Sequence, residues 1–272
     1  MNKNISKLKA KPKVITLHGF RISMKACFTV DLDRDVNFQD GRKAGSLDRG
    51  QGTAPRFTSS EKGAGIIQEV LDETGIKATF FAEARTLSET NAFEIISSNE
   101  IAIHGMDHED ITLMTVNELE TMLPEAADVV KGITGKRPKG FRAPFMKYDE
   151  RSFPILKKIG IRYDSSSYGN SITEINGIRE IPVSHGVDIR GRKIAAYLWP
   201  MHEGTRSPDD YTELASKNDI FVFATHTWHM VESRDRGLMG AEDIRKNKEY
   251  LAHIISSLLD NGFKFSTMDS FI

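Results

Sequence analysis

The sequence predicts an α/β fold, with a largely parallel sheet covered by helices in one domain. Short runs rich in β-branched and aromatic residues alternate with longer segments of helical periodicity, which is typical of repeated βα units. A chain of 272 residues with 39% hydrophobic content can bury one large core, and α/β barrels often reach this length as single domains. Ionisable residues follow several of the β-type runs, at the strand ends where parallel barrels build their sites.

Composition narrows the classes of partner. The formal net charge of −1 offers no excess of basic residues to hold a phosphate backbone, so we expect no nucleic-acid partner. The single cysteine, Cys27, excludes an internal disulfide and fits a reducing compartment. No run approaches the roughly 18 apolar residues of a membrane span. Residues 1–23 start basic like a signal peptide, but their apolar stretch is short and no small-residue cleavage site follows it, so we expect no signal peptide. We therefore expect a soluble cytoplasmic protein, with residues 1–23 as a leader or extension and residues 24–272 as the barrel domain.

The elements are predicted in chain order from periodicity and from helix start and stop signals. Strands are predicted at residues 26–30, 78–82, 101–104, 140–143, 162–164, 220–225 and 264–267, and a further extended piece at 179–183 is placed at a sheet edge. Helices are predicted at residues 61–74, 116–132, 149–159 and 241–259, the second with a capping box from Thr115 to Glu118. Residues 34–60 form a long Gly- and Arg-rich connection, which is interpreted either as a lid or as a solvated loop.

Two short stretches carry most of the candidate chemistry. His104 and His108 stand four residues apart after an apolar run, a spacing that lets two imidazoles grip one metal ion. The spacing alone also fits one core histidine and one surface histidine. Asp31 and Asp33 close the first strand and, two residues apart, project from the same face. Two histidines and one carboxylate would make an open metal site, with the other carboxylate left as a base.

These residues, taken with three more at later strand ends, resemble the motifs of the polysaccharide deacetylase (NodB-homology) superfamily, carbohydrate esterase family 4. The motifs are Asp31-Leu32-Asp33, His104-Gly105-Met106-Asp107-His108, Arg142-Ala143-Pro144, Asp164 and His226. The resemblance covers residues 24–272 and implies a distorted (β/α)7 barrel. Two features depart from the commonest pattern: Leu32 separates the aspartates and Arg34 follows them, and Gly105 follows the first histidine. Both look like the branch with Asp-x-Asp and His-Gly-x-x-His-Glu, matched here through Glu109, which includes peptidoglycan-deacetylase-like and allantoinase-like intracellular enzymes.

The resemblance implies a role for each motif residue in a metal-dependent amide hydrolase. Asp33, His104 and His108 would be the metal ligands, a donor set that suits Zn²⁺ and would also accept Co²⁺, Ni²⁺ or Fe²⁺. Asp31 would be the base that takes a proton from water, held by Arg142 through a two-pronged pair. For Arg142 a plain strand-end ion pair is the alternative.

The remaining predicted site residues would handle the leaving group and the substrate. His226 is the candidate acid, with Asp164 orienting it and raising its pKa, and His229 is its rival. The backbone N–H of Phe145 resembles the family's oxyanion donor. Trp228 is placed in the pocket lining, and Trp199 is either a flat face for a sugar ring or a core residue.

Three functions follow from these assignments. The first is N-deacetylation of an acetylated amino sugar or related saccharide. The second is allantoinase-like hydrolysis of a cyclic amide, or deformylation of an amino-sugar derivative. The third is a non-catalytic carbohydrate-binding barrel, although the candidate base and acid are both present. A non-haem iron oxygenase is disfavoured because such sites typically lie on double-stranded β-sheet scaffolds, whereas this sequence alternates strands with helices. The partner is a small-molecule or saccharide substrate, and a homo-oligomer stays open.

Overall fold

A nine-stranded sheet, parallel except for one strand, forms the centre of the computed structural model, which describes residues 24–33, 57–234 and 236–272. The strands of the described chain are β1 (Lys25–Leu32), β2 (Thr79–Ala82), β3 (Glu100–Ile103), β4 (Gly140–Phe141), β5 (Tyr163–Asp164), β6 (Thr173–Ile175), β7 (Ile178–Glu180), β8 (His185–Val187), β9 (Lys193–Ala195), β10 (Ile220–His226), β11 (Glu232–Ser233), β12 (Gly237–Leu238) and β13 (Lys264–Phe265). The helices are α1 (Phe57–Thr74), α2 (Ala84–Glu89), α3 (Ala92–Ile96), α4 (Val116–Thr134), α5 (Phe153–Lys158), α6 (Trp199–His202), α7 (Pro208–Ala215) and α8 (Ala241–Asp260).

The sheet curls into a partly closed barrel in the order β10-β1-β2-β3-β4-β5-β7-β6, with only β6 antiparallel to its neighbour. The chain after β7 brings the two sides together. Val183 bridges to Tyr168, and the Ser184 N–H donates to the Val222 carbonyl of β10 over 2.9 Å. The predicted distorted (β/α) barrel is therefore confirmed.

Two of the predicted strands differ from the structure. The extended piece predicted at an edge, 179–183, lies inside the sheet as β7, between β5 and β6. The predicted strand at 264–267 shortens to β13, which pairs with Lys25 and Ala26. β13 can pair with the start of β1 because β2 pairs with β1 only from Thr29 onward.

The four predicted helices are present as α1, α4, α5 and α8, with the largest boundary differences at the starts of α1 and α5. Thr115 and Glu118 form the predicted capping box of α4, and the helix ends at Gly135, whose φ is 72°. Helix α1 begins at Phe57, earlier than predicted, and Ser60 is buried within its first turns. The Ser60 hydroxyl donates to the Asp33 carbonyl rather than capping the helix, so it ties α1 to the end of β1. Within the described residues, no helix is long and apolar enough to cross a membrane.

Alternation along β1 separates the two sides of the barrel wall. Ala26, Phe28, Val30 and Leu32 join the large apolar cluster under the helices, whereas Cys27 belongs to a smaller cluster with Phe81, Tyr163 and Val222. Because successive side chains in a strand point to opposite faces, Thr29, Asp31 and Asp33 share the side of Cys27. The carboxylates of β1 therefore face the barrel interior at its carboxyl end.

Candidate active site

Three predicted metal ligands meet at the carboxyl rim of the barrel. Asp33, His104 and His108 are buried, and one ligand atom from each lies within 4.8 Å of the other two. His108 Nε2 is 3.3 Å from Asp33 Oδ2. The alternative of one core and one surface histidine is wrong, because both imidazoles are buried at the same point. One oxygen and two nitrogens in this arrangement fit Zn²⁺ or a similar divalent ion.

The state of His104 also suits a metal ligand. Its Nδ1 lies 2.8 Å from the Arg142 carbonyl, which can only accept a hydrogen bond, so the proton of the neutral imidazole stays on Nδ1 and Nε2 is unprotonated. Burial lowers the pKa of His104, with Asp31 opposing this, so the imidazole is held neutral. A neutral histidine with a bare Nε2 is the form that binds metal.

The turn that carries the two histidines explains why Gly105 and Glu109 occur together in the motif. Gly105 has a φ of 79°, and His108 has a φ of 56°. Glu109 accepts hydrogen bonds from the Met106 and Asp107 N–H groups, at 3.1 and 3.0 Å. A Cβ at residue 105 would lie 2.9 Å from Glu109 Oε2. The glycine and the glutamate therefore belong together, because the carboxylate that shapes the turn occupies the space of a side chain at residue 105.

Asp31 and Arg142 form a buried pair, but not the predicted two-pronged one. Arg142 Nη1 donates to Asp31 Oδ1 over 2.8 Å, while Nη2 donates to Thr29 and to Ser165, at 3.0 and 2.9 Å. The guanidinium also lies over the Phe81 ring, 4.1 Å from its centroid. Arg142 therefore joins β1, β4 and the chain after β5, and gives Asp31 a single, charged hydrogen bond.

The second oxygen of Asp31 has a partner that the sequence analysis missed. Tyr197 donates its phenolic hydrogen to Asp31 Oδ2. Burial alone would raise the pKa of Asp31, yet Arg142, the two nearby histidines and Tyr197 outweigh it and hold the pKa well below its usual range. The carboxylate is thus kept ionised and fixed in orientation. Tyr197 lies in the stretch singled out for Trp199, so the segment was recognised and the functional residue was not.

His226 lies where the prediction placed it, but Asp164 does not orient it. His226 Nε2 is 3.9 Å from Asp31 Oδ2 and 4.0 Å from Asp33 Oδ2, whereas its Nδ1 faces His229 Nδ1 at 3.3 Å. Burial lowers the pKa of His226 to about 3 and the charge of Asp31 opposes this only in part, so the predicted rise in pKa is also wrong.

Asp164 serves the neighbouring turn instead. It accepts hydrogen bonds from the N–H and hydroxyl of Ser166, at 3.1 and 2.7 Å, and the Ser166 oxygen in turn accepts the Ala143 N–H over 2.8 Å. Burial and the adjacent Glu180 raise the pKa of Asp164 well above its ordinary value. Asp164 therefore supports the turn at Ala143 through Ser166 and is not the partner of His226.

Phe145 sits in the turn that Asp164 supports. Its φ is 61° and that of Met146 is 58°, left-handed values that are rare for residues with a side chain. The Phe145 ring contacts the His108 ring edge-on, with centroids 4.6 Å apart. The Phe145 side chain therefore lies beside His108, and the role of its backbone N–H as oxyanion donor stays a prediction.

The two tryptophans lie in different parts of the structure. Trp228 is buried with its ring centroid 5.5 Å from that of His226 and 3.6 Å from that of His229. Trp199 begins α6 and packs under Arg234, whose guanidinium lies 4.3 Å from the ring centroid. Trp228 therefore packs beside His226, the candidate acid, and the contact found for Trp199 is with Arg234.

Two predicted segments lie wholly or partly outside the described residues. They are the leader, residues 1–23, and most of the predicted lid, residues 34–56, whereas residues 57–60 are helical.

Comparison with known proteins agrees with this geometry. Residues 61–163 match the sequence model of the polysaccharide deacetylase family. The chain is 35% identical over 114 residues to the peptidoglycan deacetylase-like protein FGM2 of Gibberella zeae, covering 40% of this chain and 33% of that protein. It is 28% identical over 118 residues to the peptidoglycan deacetylase of Helicobacter pylori, covering 42% and 40%. The matched region thus spans two fifths or less of these relatives.

Solved structures with a similar fold extend over nearly the whole chain. A Mycobacterium smegmatis protein assigned to the polysaccharide deacetylases has a TM-score of 0.63 at 20% identity, covering 92% of this chain and 88% of its own. A family 4 carbohydrate esterase pseudoenzyme from Bacillus anthracis has a TM-score of 0.54 at 13% identity, covering 91% and 65%. At such identities the likeness shows the fold alone. Because the family model matches residues 61–163, which include the histidine motif, this part of the chain is recognised as a polysaccharide deacetylase domain.

Proposed function

We propose that the protein is a metal-dependent amide hydrolase that removes the N-acetyl group of an acetylated amino sugar. The observation that carries the proposal is the meeting of three metal-type ligands, Asp33, His104 and His108, with an ionised carboxylate that is not among them. His104 Nε2 lies 3.9 Å from Asp31 Oδ2, so ligands and base share one pocket. The names of the peptidoglycan and chitin deacetylases among the relatives support a saccharide substrate.

The donor set defines what the ion would contribute. Bound by Asp33, His104 and His108, a divalent ion such as Zn²⁺ would polarise the acetamide carbonyl and acidify a water, worth several kcal/mol in the transition state. Two imidazole nitrogens and one oxygen leave coordination positions open for these two ligands. A metal ligand must be a neutral imidazole and a base must be an ionised carboxylate, and these are the states favoured for His104 and Asp31.

Two residues, Asp31 and His226, each carry out one proton transfer. Asp31 accepts a proton from the attacking water while Arg142 and Tyr197 hold its two oxygens. A carboxylate stabilised this strongly in its ionised form gives the proton up readily. His226 Nε2, 3.9 Å away, is positioned to deliver a proton to the nitrogen as the carbon–nitrogen bond breaks. The water oxygen ends in acetate, and its proton leaves with the free amine.

The fold by itself does not decide whether the chain is active, since a pseudoenzyme shares it. Here Asp31, Arg142 and His226 are all present in one pocket, which favours catalysis over a binding-only barrel. The cytoplasmic location and the oligomeric state stay predictions.

The test combines metal analysis with a substrate panel. We expect purified protein to hold close to one equivalent of a divalent metal and to release acetate from N-acetylated oligosaccharides, with chelation abolishing the activity and Zn²⁺ restoring it. The panel includes N-formylated amino sugars and cyclic amides, which would reveal the deformylase or allantoinase-like activity. Protein that retains its metal but hydrolyses none of these would refute the proposed function.

A further inference from the structure

Behind the candidate acid lies a second histidine that the proposed chemistry does not use. His226 Nε2 faces the carboxylates of the pocket, and its other nitrogen, Nδ1, lies 3.3 Å from His229 Nδ1. The His229 side chain is completely buried, and the Trp228 ring packs on it with centroids 3.6 Å apart. Burial this deep leaves His229 no access to substrate, so any role it has is exerted through His226.

The far side of His229 faces a carboxylate. His229 Nε2 is 3.7 Å from Glu203 Oε1, about 0.5 Å beyond hydrogen-bond distance. Glu203 is itself fixed, because Oε2 accepts the Ser233 hydroxyl over 2.7 Å and Oε1 accepts the Arg234 N–H over 2.6 Å. These bonds anchor it at the end of α6 and beside the β11–β12 hairpin. Catalytic hydrogen bonds are often long before substrate binds.

We propose that Glu203 and His229 are positioning residues that set the proton arrangement of His226; this inference rests on the proposed hydrolase function. The Glu203 carboxylate favours a proton on His229 Nε2. A neutral imidazole has only one N–H, so His229 Nδ1 is then a bare acceptor. His226 must therefore present Nδ1–H to it, and its own bare Nε2 faces the pocket.

This arrangement suits a general acid that receives its proton during the reaction. His226 Nε2 receives the proton that the attacking water has passed to Asp31, and then delivers it to the departing amine nitrogen. Nδ1–H stays on His226 throughout, hydrogen-bonded to His229, while the Glu203 charge lies behind the transient imidazolium. The role predicted for Asp164 is thus filled from another part of the chain. No proton is gained or lost by His229 or Glu203.

A neighbouring histidine provides a matched control. His202 is also buried, and its ring is stacked 6.2 Å from that of His229. Its Nε2 lies 3.1 Å from the Thr225 hydroxyl, so it is bonded to β10 rather than to His226. The variant H202Q keeps a group near the Nε2 position and should affect stability alone.

The first test reads tautomers and needs no substrate. Long-range ¹H–¹⁵N spectra of the zinc-loaded protein would be assigned to individual imidazoles with the single variants H202Q and H229N. We expect His229 to carry its proton on Nε2 and His226 on Nδ1, and E203Q to weaken the preference at His229. A proton on His229 Nδ1 in the unmodified protein would overturn the proposal, whatever the enzyme's substrate proves to be.

The second test separates acid catalysis from structural damage. An N-acetyl amino sugar needs a protonated leaving group, whereas 4-nitrophenyl acetate releases a stable anion that needs none. We expect E203Q to lower kcat for the amide by about 10- to 100-fold, with KM and aryl-acetate hydrolysis unchanged. H229L should lose at least as much, and H229N should recover part of it, since its side-chain oxygen can accept from His226 Nδ1–H.

The outcomes distinguish the two proposals. Equal losses on both substrates, or no loss in E203Q and H229L, would remove the positioning role and leave the hydrolase intact. Unmodified enzyme that cleaves no acetylated sugar would remove the proposed function, and the tautomer measurement would still decide the arrangement behind His226.

Discussion

Acidic side chains lie at both rims of the barrel, partly buried at the amino rim and fully buried at the carboxyl rim, and their contacts differ. At the amino rim, Glu100 accepts hydrogen bonds from Tyr163 and Thr79, each at 2.7 Å, and from the Asp269 N–H at 3.1 Å. Both of its oxygens are therefore bonded within the fold. At the carboxyl rim, ligand atoms of Asp33 and two imidazoles instead lie within 4.8 Å of one another. The hydrogen bonds of Glu100 join elements of the fold, whereas a cluster of one carboxylate and two imidazoles is a donor set that suits a divalent cation.

The comparison also shows that a cavity is a poor guide to chemistry. A cleft of about 560 Å³ opens at the amino rim, lined in part by Lys77, Lys136 and Glu100. Its acid is already bonded to neighbouring elements, and it lacks the histidines and the arginine-held carboxylate of the opposite rim. The arrangement of donors and acceptors, rather than the volume, locates the candidate site.

The largest expected effect separates the two carboxylates of β1. We expect D33N to lose both metal and activity, whereas D31N keeps its metal and loses about 10²- to 10⁴-fold in turnover with the base removed. Asp33 belongs to the ligand cluster, and Asp31 is held by Arg142 and Tyr197 instead. Metal content and acetate release would be measured on both variants after thermal melts establish that they fold. Full activity in D31N would take Asp31 out of the mechanism.

The next effect concerns stability at the carboxyl rim. R142M should lower the free energy of unfolding by about 3–5 kcal/mol, because it leaves a buried carboxylate without its charged partner. The double variant D31N/R142M removes both charges and should recover much of the loss. Urea unfolding of the two single variants and the double variant gives the coupling energy. Additive losses would mean that the two side chains act independently.

A smaller effect tests how closely α1 is held against this rim. A Cβ at Gly63 would lie only 1.8 Å from the Thr227 carbonyl oxygen, next to His226, whereas one at Gly65 meets nothing within 4 Å. G63A should therefore cost about 1–3 kcal/mol through overpacking, and should lower activity by shifting the chain around His226. G65A should stabilise the helix by about 0.5–1 kcal/mol. Comparing G63A with G65A separates the effect of the close contact at Thr227 from the effect of helix propensity. Similar unfolding midpoints for the two variants would contradict the close contact between α1 and Thr227.

Periodicity and motif spacing were enough to predict the carboxyl rim in outline. The alternation of β1 placed Asp31 and Asp33 on one face, and parallel strands brought His104, Arg142 and His226 to the same end, as predicted. These features depend on local geometry and on a common strand direction, both of which are visible in the sequence.

Contacts made across the barrel by loops were not predictable. Tyr197 reaches Asp31 from a segment whose position depends on how the chain after β7 closes the barrel. Asp164 ends a strand near His226 in the predicted order, yet its hydrogen bonds go to Ser166, because a side chain bonds its own turn more readily than a distant strand. Arg142 has three separate partners, which strand order could not reveal.

The smallest expected effect returns to the amino rim and depends on pH. Burial raises the pKa of Glu100, with the hydroxyls of Thr79 and Tyr163 opposing it, so the folded state favours the neutral acid. An acid with a raised folded pKa contributes stability at pH values below its unfolded pKa, and that contribution is lost as pH rises through the folded pKa. E100Q removes this dependence and keeps the shape of the side chain. We therefore expect unmodified protein to gain stability relative to E100Q as pH falls from 7 toward 4, with acetate release at pH 7 unchanged by the substitution. Urea unfolding of both proteins across this range measures the difference, and the opposite slope would show that Glu100 is stabilised as the anion, which would make the amino rim resemble Asp31 after all.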